Sequence, residues 1–153
     1  MRFIMKRLNA TNTPIFGLLN NQDPERDATF AEEIRSSLTY FANSLDPNGP
    51  FCVGKSLTLA DVMAGPLLYR LDVGLSHWRG FSFTNAANVG EDTAKRIKIL
   101  LDAIAELDAF KVGLVSDTEI ARNYAFPAYG KSWAADGKSF NGRGASKLSS
   151  HIC

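Results

Sequence analysis

Apolar residues recur along this chain at helical spacing in successive stretches, and no run alternates with the period of two that a half-buried strand requires. Phe30, Ile34, Leu38, Phe41 and Leu45 keep the rhythm best and predict a helix from about Pro24 to Leu45. Ile4, Leu8, Ile15, Leu18 and Leu19 give the same spacing over Arg2 to Leu19. Pro14 removes the donor that would bond the carbonyl of Ala10, so a kink or a break is expected there. The polar run Asn20-Asn21-Gln22-Asp23-Pro24 ends that segment, and Asp46-Pro47-Asn48-Gly49-Pro50 ends the next. From Glu91 to Leu107 a further helix is marked by Ile97, Leu100, Leu101, Ile104 and Leu107. Glu91–Lys95 and Asp92–Arg96 are spaced within it as i, i+4 pairs.

Between the second and last of these lies Phe51-Cys52-Val53-Gly54-Lys55-Ser56-Leu57-Thr58-Leu59-Ala60-Asp61, a loop that hands over to a helix. Thr58 is the N-cap and Asp61 the third helical residue, so hydroxyl and carboxylate can each serve the other's backbone N–H as a capping box. Leu57 and Val62 occupy the staple positions. The helix should run to about Val73 and bend at Pro66. Capping accounts for Asp61 without any catalytic role, and on this basis Asp61→Ala should cost about 0.5–2 kcal/mol. Ser116 and Glu119 form a second box, with Val115 and Ile120 as its staple, opening a short helix to about Tyr124.

Gly74 to Gly90 has no sustained period and reads as a long irregular connection in which Trp78, Phe81 and Phe83 act as anchors. Trp78 suits either that role or stacking on a ligand. Beyond Tyr129 the chain is rich in Lys, Gly and Ser, and residues 131–153 read as a disordered basic tail behind a helical domain of residues 1–130. The elements together predict an all-α helical bundle with a flexible C-terminal tail.

With 153 residues and 45% hydrophobic content, one core is the natural outcome. A formal net charge of +1 provides no global field for nucleic acid or anionic lipid, so neither partner is expected. The two cysteines, Cys52 and Cys153, show no Cys-x-x-Cys spacing, and His77 and His151 stand far apart, so neither a disulfide framework nor a metal site is predicted. No apolar run reaches the roughly 18 residues needed to span a bilayer, and the N-terminus lacks a cleavage-site pattern; a reducing cytoplasmic setting is expected. Serine or cysteine catalysis needs a base beside a nucleophile, and two histidines leave almost no candidates, so no catalytic residue is predicted.

The run Phe51-x-x-Gly54-x-x-Leu57-Thr58-Leu59-Ala60-Asp61, followed by Pro66-Leu67-Leu68-Tyr69-Arg70-Leu71, resembles the start of the central helix in the C-terminal domain of glutathione transferases. Weaker likeness extends from Arg2-Phe3 through Asn21-Gln22-Asp23-Pro24 to Asp102-Ala103-Ile104 and Ala109-Phe110-Lys111. Asp108 stands where many members have proline, and Leu101 where tryptophan is common, which bears on subclass.

The resemblance implies a division of labour. In that family glutathione is held by an N-terminal thioredoxin-like domain, with a Val-Pro dipeptide and a Glu-Ser pair. None of the six prolines here follows a valine, and Met1 stands almost at the first helix of the second domain. The chain is therefore expected to carry no cofactor by itself, with glutathione as cosubstrate only where a thioredoxin-like domain is supplied. That domain or a homodimer partner is the expected protein partner, and a small hydrophobic electrophile the expected substrate.

Met5 and Arg70 correspond to substrate-facing regions, although Met5 equally suits the core and Arg70 a solvated surface. The expected role is the hydrophobic-substrate wall of a glutathione-conjugating or glutathione-dependent redox enzyme, inactive alone. The competing reading is a non-catalytic interaction module, since such domains also dock in translation and tRNA-synthetase assemblies. Either implies an apolar patch along the first helix and the start of the central one.

Overall fold

Two long helices set the frame of the computed structural model, which describes residues 2–124; the proposed tail at 131–153 lies outside the described residues. Helix α1 (Arg2–Asn20) and helix α2 (Asp27–Ala42) are joined by a short 3₁₀ turn, Pro24–Arg26. Their facing stripes are the predicted ones: Leu8, Ile15 and Leu18 against Ile34, Leu38 and Phe41, all fully buried. Pro14 does not break α1, which is one continuous helix. Ala10, whose carbonyl loses the proline's donor, is an exposed residue, so water can replace it. At the start of α1 the Arg7 guanidinium carbon lies 3.9 Å from the Phe3 ring centre and 3.7 Å from that of Tyr40, bracing α1 on α2.

Helix α3 (Leu59–Arg79) passes through the middle of the bundle and is six residues longer than the sequence pattern suggested. Leu71, Leu75 and Trp78 continue its buried stripe, so the segment read as irregular from Gly74 is helical up to Arg79. Gly74 belongs inside it because a Cβ there would come 2.6 Å from Cδ2 of Tyr124. The stop is Gly80, whose φ of 69° is the left-handed cap that side-chain-bearing residues avoid. The following loop then buries Phe81 and Phe83. It is tied down where Asp72 accepts the Phe83 N–H at 2.6 Å and Asn88 accepts that of Ser82 at 2.8 Å.

Helices α4 (Ala86–Val89), α5 (Glu91–Ala105), α6 (Asp108–Gly113) and α7 (Asp117–Asn123) complete the bundle. α5 buries Ile97, Leu100 and Ile104, and α7 lies on the outer half of α3 through Ile120 and Ala121. The ion pairs expected at Glu91–Lys95 and Asp92–Arg96 do not form; along α5 the pair is Lys98–Asp102 at 2.9 Å. Arg96 turns inward instead, for a reason that belongs to the motif loop. Among the described residues there is no strand, only an isolated bridge between Phe51 and Gly54.

Candidate functional site

The motif loop is held from two sides. Thr58 and Asp61 form the capping box at the start of α3. The Thr58 N–H donates to Asp61 Oδ2 at 2.8 Å, and the threonine hydroxyl sends its own proton to the same oxygen at 2.7 Å. A third donor is the backbone N–H of Cys52, nine residues back, at 2.5 Å from Oδ1. Asp61 is fully buried. Burial pushes its carboxyl pKa up, yet the donors from Cys52 and Thr58 outweigh that push and the pKa lies below the ordinary carboxylate value. From the opposite side Arg96 on α5 donates to the carbonyls of Asp46, Pro50 and Phe51 at 3.1, 3.2 and 2.9 Å. The hydrogen bonds of Asp61 tie the motif loop to the start of α3, which is the geometry of a loop clamp.

Met5 and Arg70 are not brought into one cavity. Met5 is half-buried against the core and borders none of the cavities described below. Arg70 is exposed on α3, with Nε donating to the carbonyl of Pro66 at 2.9 Å. It edges a cavity of about 290 Å³ between α3, α6 and the link to α7, walled by Pro66, Phe110, Leu114, Val115 and Ile120. A smaller one of about 170 Å³ lies further toward the start of α3, against Val62, Ile104 and Leu107. A larger, more open cleft of about 700 Å³ separates the second half of α3 from α7 and is lined by Tyr69, Asp72, His77, Trp78 and Arg122.

Acid–base chemistry around these spaces is subdued. The Tyr69 hydroxyl donates to Asp117 at 2.7 Å, and this bond to a carboxylate, with burial, pushes its pKa up to about 12. Burial pushes the Cys52 thiol up as well, away from the thiolate a nucleophile needs. Asp72 is raised by burial against the opposing Phe83 N–H. Among the described residues no three His, Cys, Asp or Glu side chains are grouped to hold a metal ion, and no helix is long and apolar enough to cross a membrane. His77 is exposed beside Trp78, while His151 and Cys153 lie outside the described residues.

Ser116 and Glu119 form the second box on the surface: the Glu119 N–H donates to Ser116 Oγ at 3.3 Å, and Glu119 accepts from the Ser116 N–H. Trp78 is not a loop anchor; it sits in the last turn of α3 and donates from Nε1 to the Ala121 carbonyl at 2.8 Å. Sequence reasoning missed Arg79 altogether. It is fully buried and donates to the carbonyls of Leu18, Leu19 and Asn21, satisfying the C-terminus of α1. Exposed apolar side chains gather at the start of α3, in Leu57, Leu59, Val62 and Met63, and again at the end of α6 and the link after it, in Val112, Leu114 and Val115. On α1 only Phe3 and Phe16 are exposed apolar residues, among exposed Lys6, Asn9, Thr13 and Asn20, so α1 contributes little to the expected patch.

An all-helical bundle whose central helix opens on a buried, clamped aspartate is a helical domain of one architectural class. Residues 9–111 match the family described as Glutathione S-transferase, C-terminal domain, and the chain belongs to that family. Over 94 residues it is 31% identical to the probable glutathione S-transferase DHAR2, chloroplastic, of Oryza sativa subsp. japonica, a match that covers 61% of this chain. The match spans 31% of that relative's length.

Proposed function

We propose that this chain is the helical half of a glutathione-dependent transferase or redox enzyme, forming part of the wall that meets a small hydrophobic electrophile. The supporting observation is the apolar strip Leu57, Leu59, Val62 and Met63 on the first turns of α3, each about half exposed beside the clamped loop. Such a strip suits a docked domain better than water. A thioredoxin-like domain is the partner this reading requires, and it would bring the glutathione site. Arg70 and Met5 are the side chains this reading assigns to the substrate side, Arg70 through the cavity it edges. The compartment taken here is the cytoplasm; imaging of a tagged chain decides it.

Calorimetry of the purified chain with millimolar glutathione tests the reading, alone and after addition of a thioredoxin-like domain from a relative. No heat alone, with binding and turnover once that domain is present, is the expected result. Robust binding and turnover by the chain alone would overturn it. Failure to associate with any thioredoxin-like domain would instead favour the interaction-module reading.

A further inference from the structure

We infer that Asn48-Gly49, in the turn between α2 and the motif loop, is a self-modification site: Asn48 loses its amide to give isoaspartate, and the extra backbone carbon loosens the hold of Arg96 on the loop. Both reacting groups are available. Asn48 is exposed, and its Nδ2 donates to Asp46 Oδ1 at 3.0 Å, which leaves the amide oxygen without a partner among the described residues. The Asn48 N–H goes to the same carboxylate oxygen at 2.8 Å, an Asx turn headed by Asp46. The next N–H, that of Gly49, has no acceptor among the described residues. Glycine carries no Cβ to crowd the ring that its nitrogen forms with the neighbouring side chain. In the reaction the Gly49 nitrogen gives up its proton and attacks Cγ of Asn48; the Cγ–Nδ2 bond breaks, and the amide nitrogen leaves with that proton as ammonia. Water then opens the five-membered succinimide. Opening at Cγ gives aspartate, and opening at the backbone carbonyl gives isoaspartate, with the chain now running through the side chain.

The site matters because of what lies on either side of it. Arg96 donates to the carbonyl of Asp46 before the pair and to those of Pro50 and Phe51 after it, so one guanidinium spans the turn. The Asp46 N–H closes the same turn on the Cys52 carbonyl at 3.1 Å. Gly49 is packed so closely that a Cβ on it would overlap the Gly54 carbonyl. Isoaspartate adds one carbon to the backbone between Asp46 and Pro50, and Gly54 blocks the turn from taking it up inward. Arg96 must then release a carbonyl on one side.

The test ages the folded 153-residue chain in mildly alkaline buffer, beside a synthetic peptide of residues 44–51, and maps both by mass spectrometry. The segment holding Asn48 should gain the mass of an amide-to-acid exchange and accept a methyl group from S-adenosylmethionine through a protein isoaspartate methyltransferase. Mapping separates it from Asn141-Gly142, the other such pair in the sequence. Chain that carries isoaspartate at position 48 should unfold at a urea midpoint about 1 M lower, the loss of one charge-assisted bond at the usual slope. Asn48→Gln, whose ring would need six members, should keep both its mass at this position and its midpoint through the same ageing. Asn48→Asp has the new charge without the extra carbon and should unfold near the wild type. An Asn48 still intact in the chain once the free peptide has converted would overturn the site. An isoaspartate form as stable as the wild type, or N48D as unstable as that form, would overturn the loosening of Arg96. The readouts involve neither glutathione nor a thioredoxin-like domain, so their failure leaves the transferase reading standing.

Discussion

Replacing Asp61 by alanine should cost this fold far more than an ordinary helix cap. Three donors lose their acceptor at once: the Thr58 N–H and hydroxyl, and the Cys52 N–H, which belongs to a buried residue. Loss of the cap contributes about 0.5–2 kcal/mol. A stranded buried donor adds about 1–3 kcal/mol. The sum centres on about 3 kcal/mol, a large share of the roughly 5–15 kcal/mol that holds an average domain together. Asp61→Asn keeps one acceptor oxygen but turns an NH₂ toward the remaining donors, and should cost about half as much. The internal control is Glu119→Ala, which opens a box of the same design on an exposed helix and should cost no more than about 1 kcal/mol.

Urea unfolding followed by circular dichroism reads all three variants. With a slope of about 2 kcal/mol/M, the Asp61→Ala midpoint should fall by about 1.5 M. Acid supplies a second signature. The folded pKa of Asp61 is lowered, so its stabilisation is present above the unfolded carboxylate value near about 4 and is lost as pH falls through the lower folded value. The gap between wild type and Asp61→Ala should therefore close in acid. If Asp61→Ala and Glu119→Ala shift the midpoint equally at neutral pH, the third donor contributes nothing and the clamp argument is wrong.

Arg79→Met should lower stability by about 2–4 kcal/mol in the same assay, because the carbonyls of Leu18, Leu19 and Asn21 lose a buried donor; a midpoint within error of wild type would refute its capping role. Gly74→Ala gains about 0.5–1 kcal/mol of helix propensity but drives a methyl into the Tyr124 ring, so it should destabilise overall yet stabilise in a Tyr124→Ala background, a sign reversal that a double-mutant cycle detects. Asp72→Asn should raise the melting temperature at neutral pH. The folded pKa of Asp72 is raised by burial, so the protonated form's advantage is complete below the unfolded value and lost as pH rises through the folded one; the asparagine's benefit should vanish in acid. A benefit independent of pH would show that charge burial is not its source.

The motif around Thr58 and Asp61 was legible because a capping box is local: both partners lie within one turn, and spacing alone brings them together. The same holds for Ser116 and Glu119, and for the apolar stripes of α1, α2 and α5, where period dictates the buried face. The true length of α3 was also written in the period of Leu71, Leu75 and Trp78, but Gly74 and the neighbouring Gly80 masked it. Only contact with Tyr124 shows why a glycine sits inside that helix.

Nothing in the neighbourhood of Arg79 announces that it serves carbonyls on α1, since Leu18 is 61 positions away. Arg96 carried a false local signal, an acidic residue four positions earlier, and folding directed it to a loop 45 to 50 positions distant. Arg70 read as a surface cation or a substrate contact; the cavity beside it is walled by residues of α6 and the α6–α7 link that lie about 40 to 50 positions further along the chain. The sequence by itself determined the stripes of α1, α2 and α5, the two capping boxes and the family, because those follow from interactions within a few residues. Which buried donors meet which carbonyls, and where apolar walls leave space beside a charge, was decided by the tertiary structure, because those depend on segments that approach only when the chain has packed.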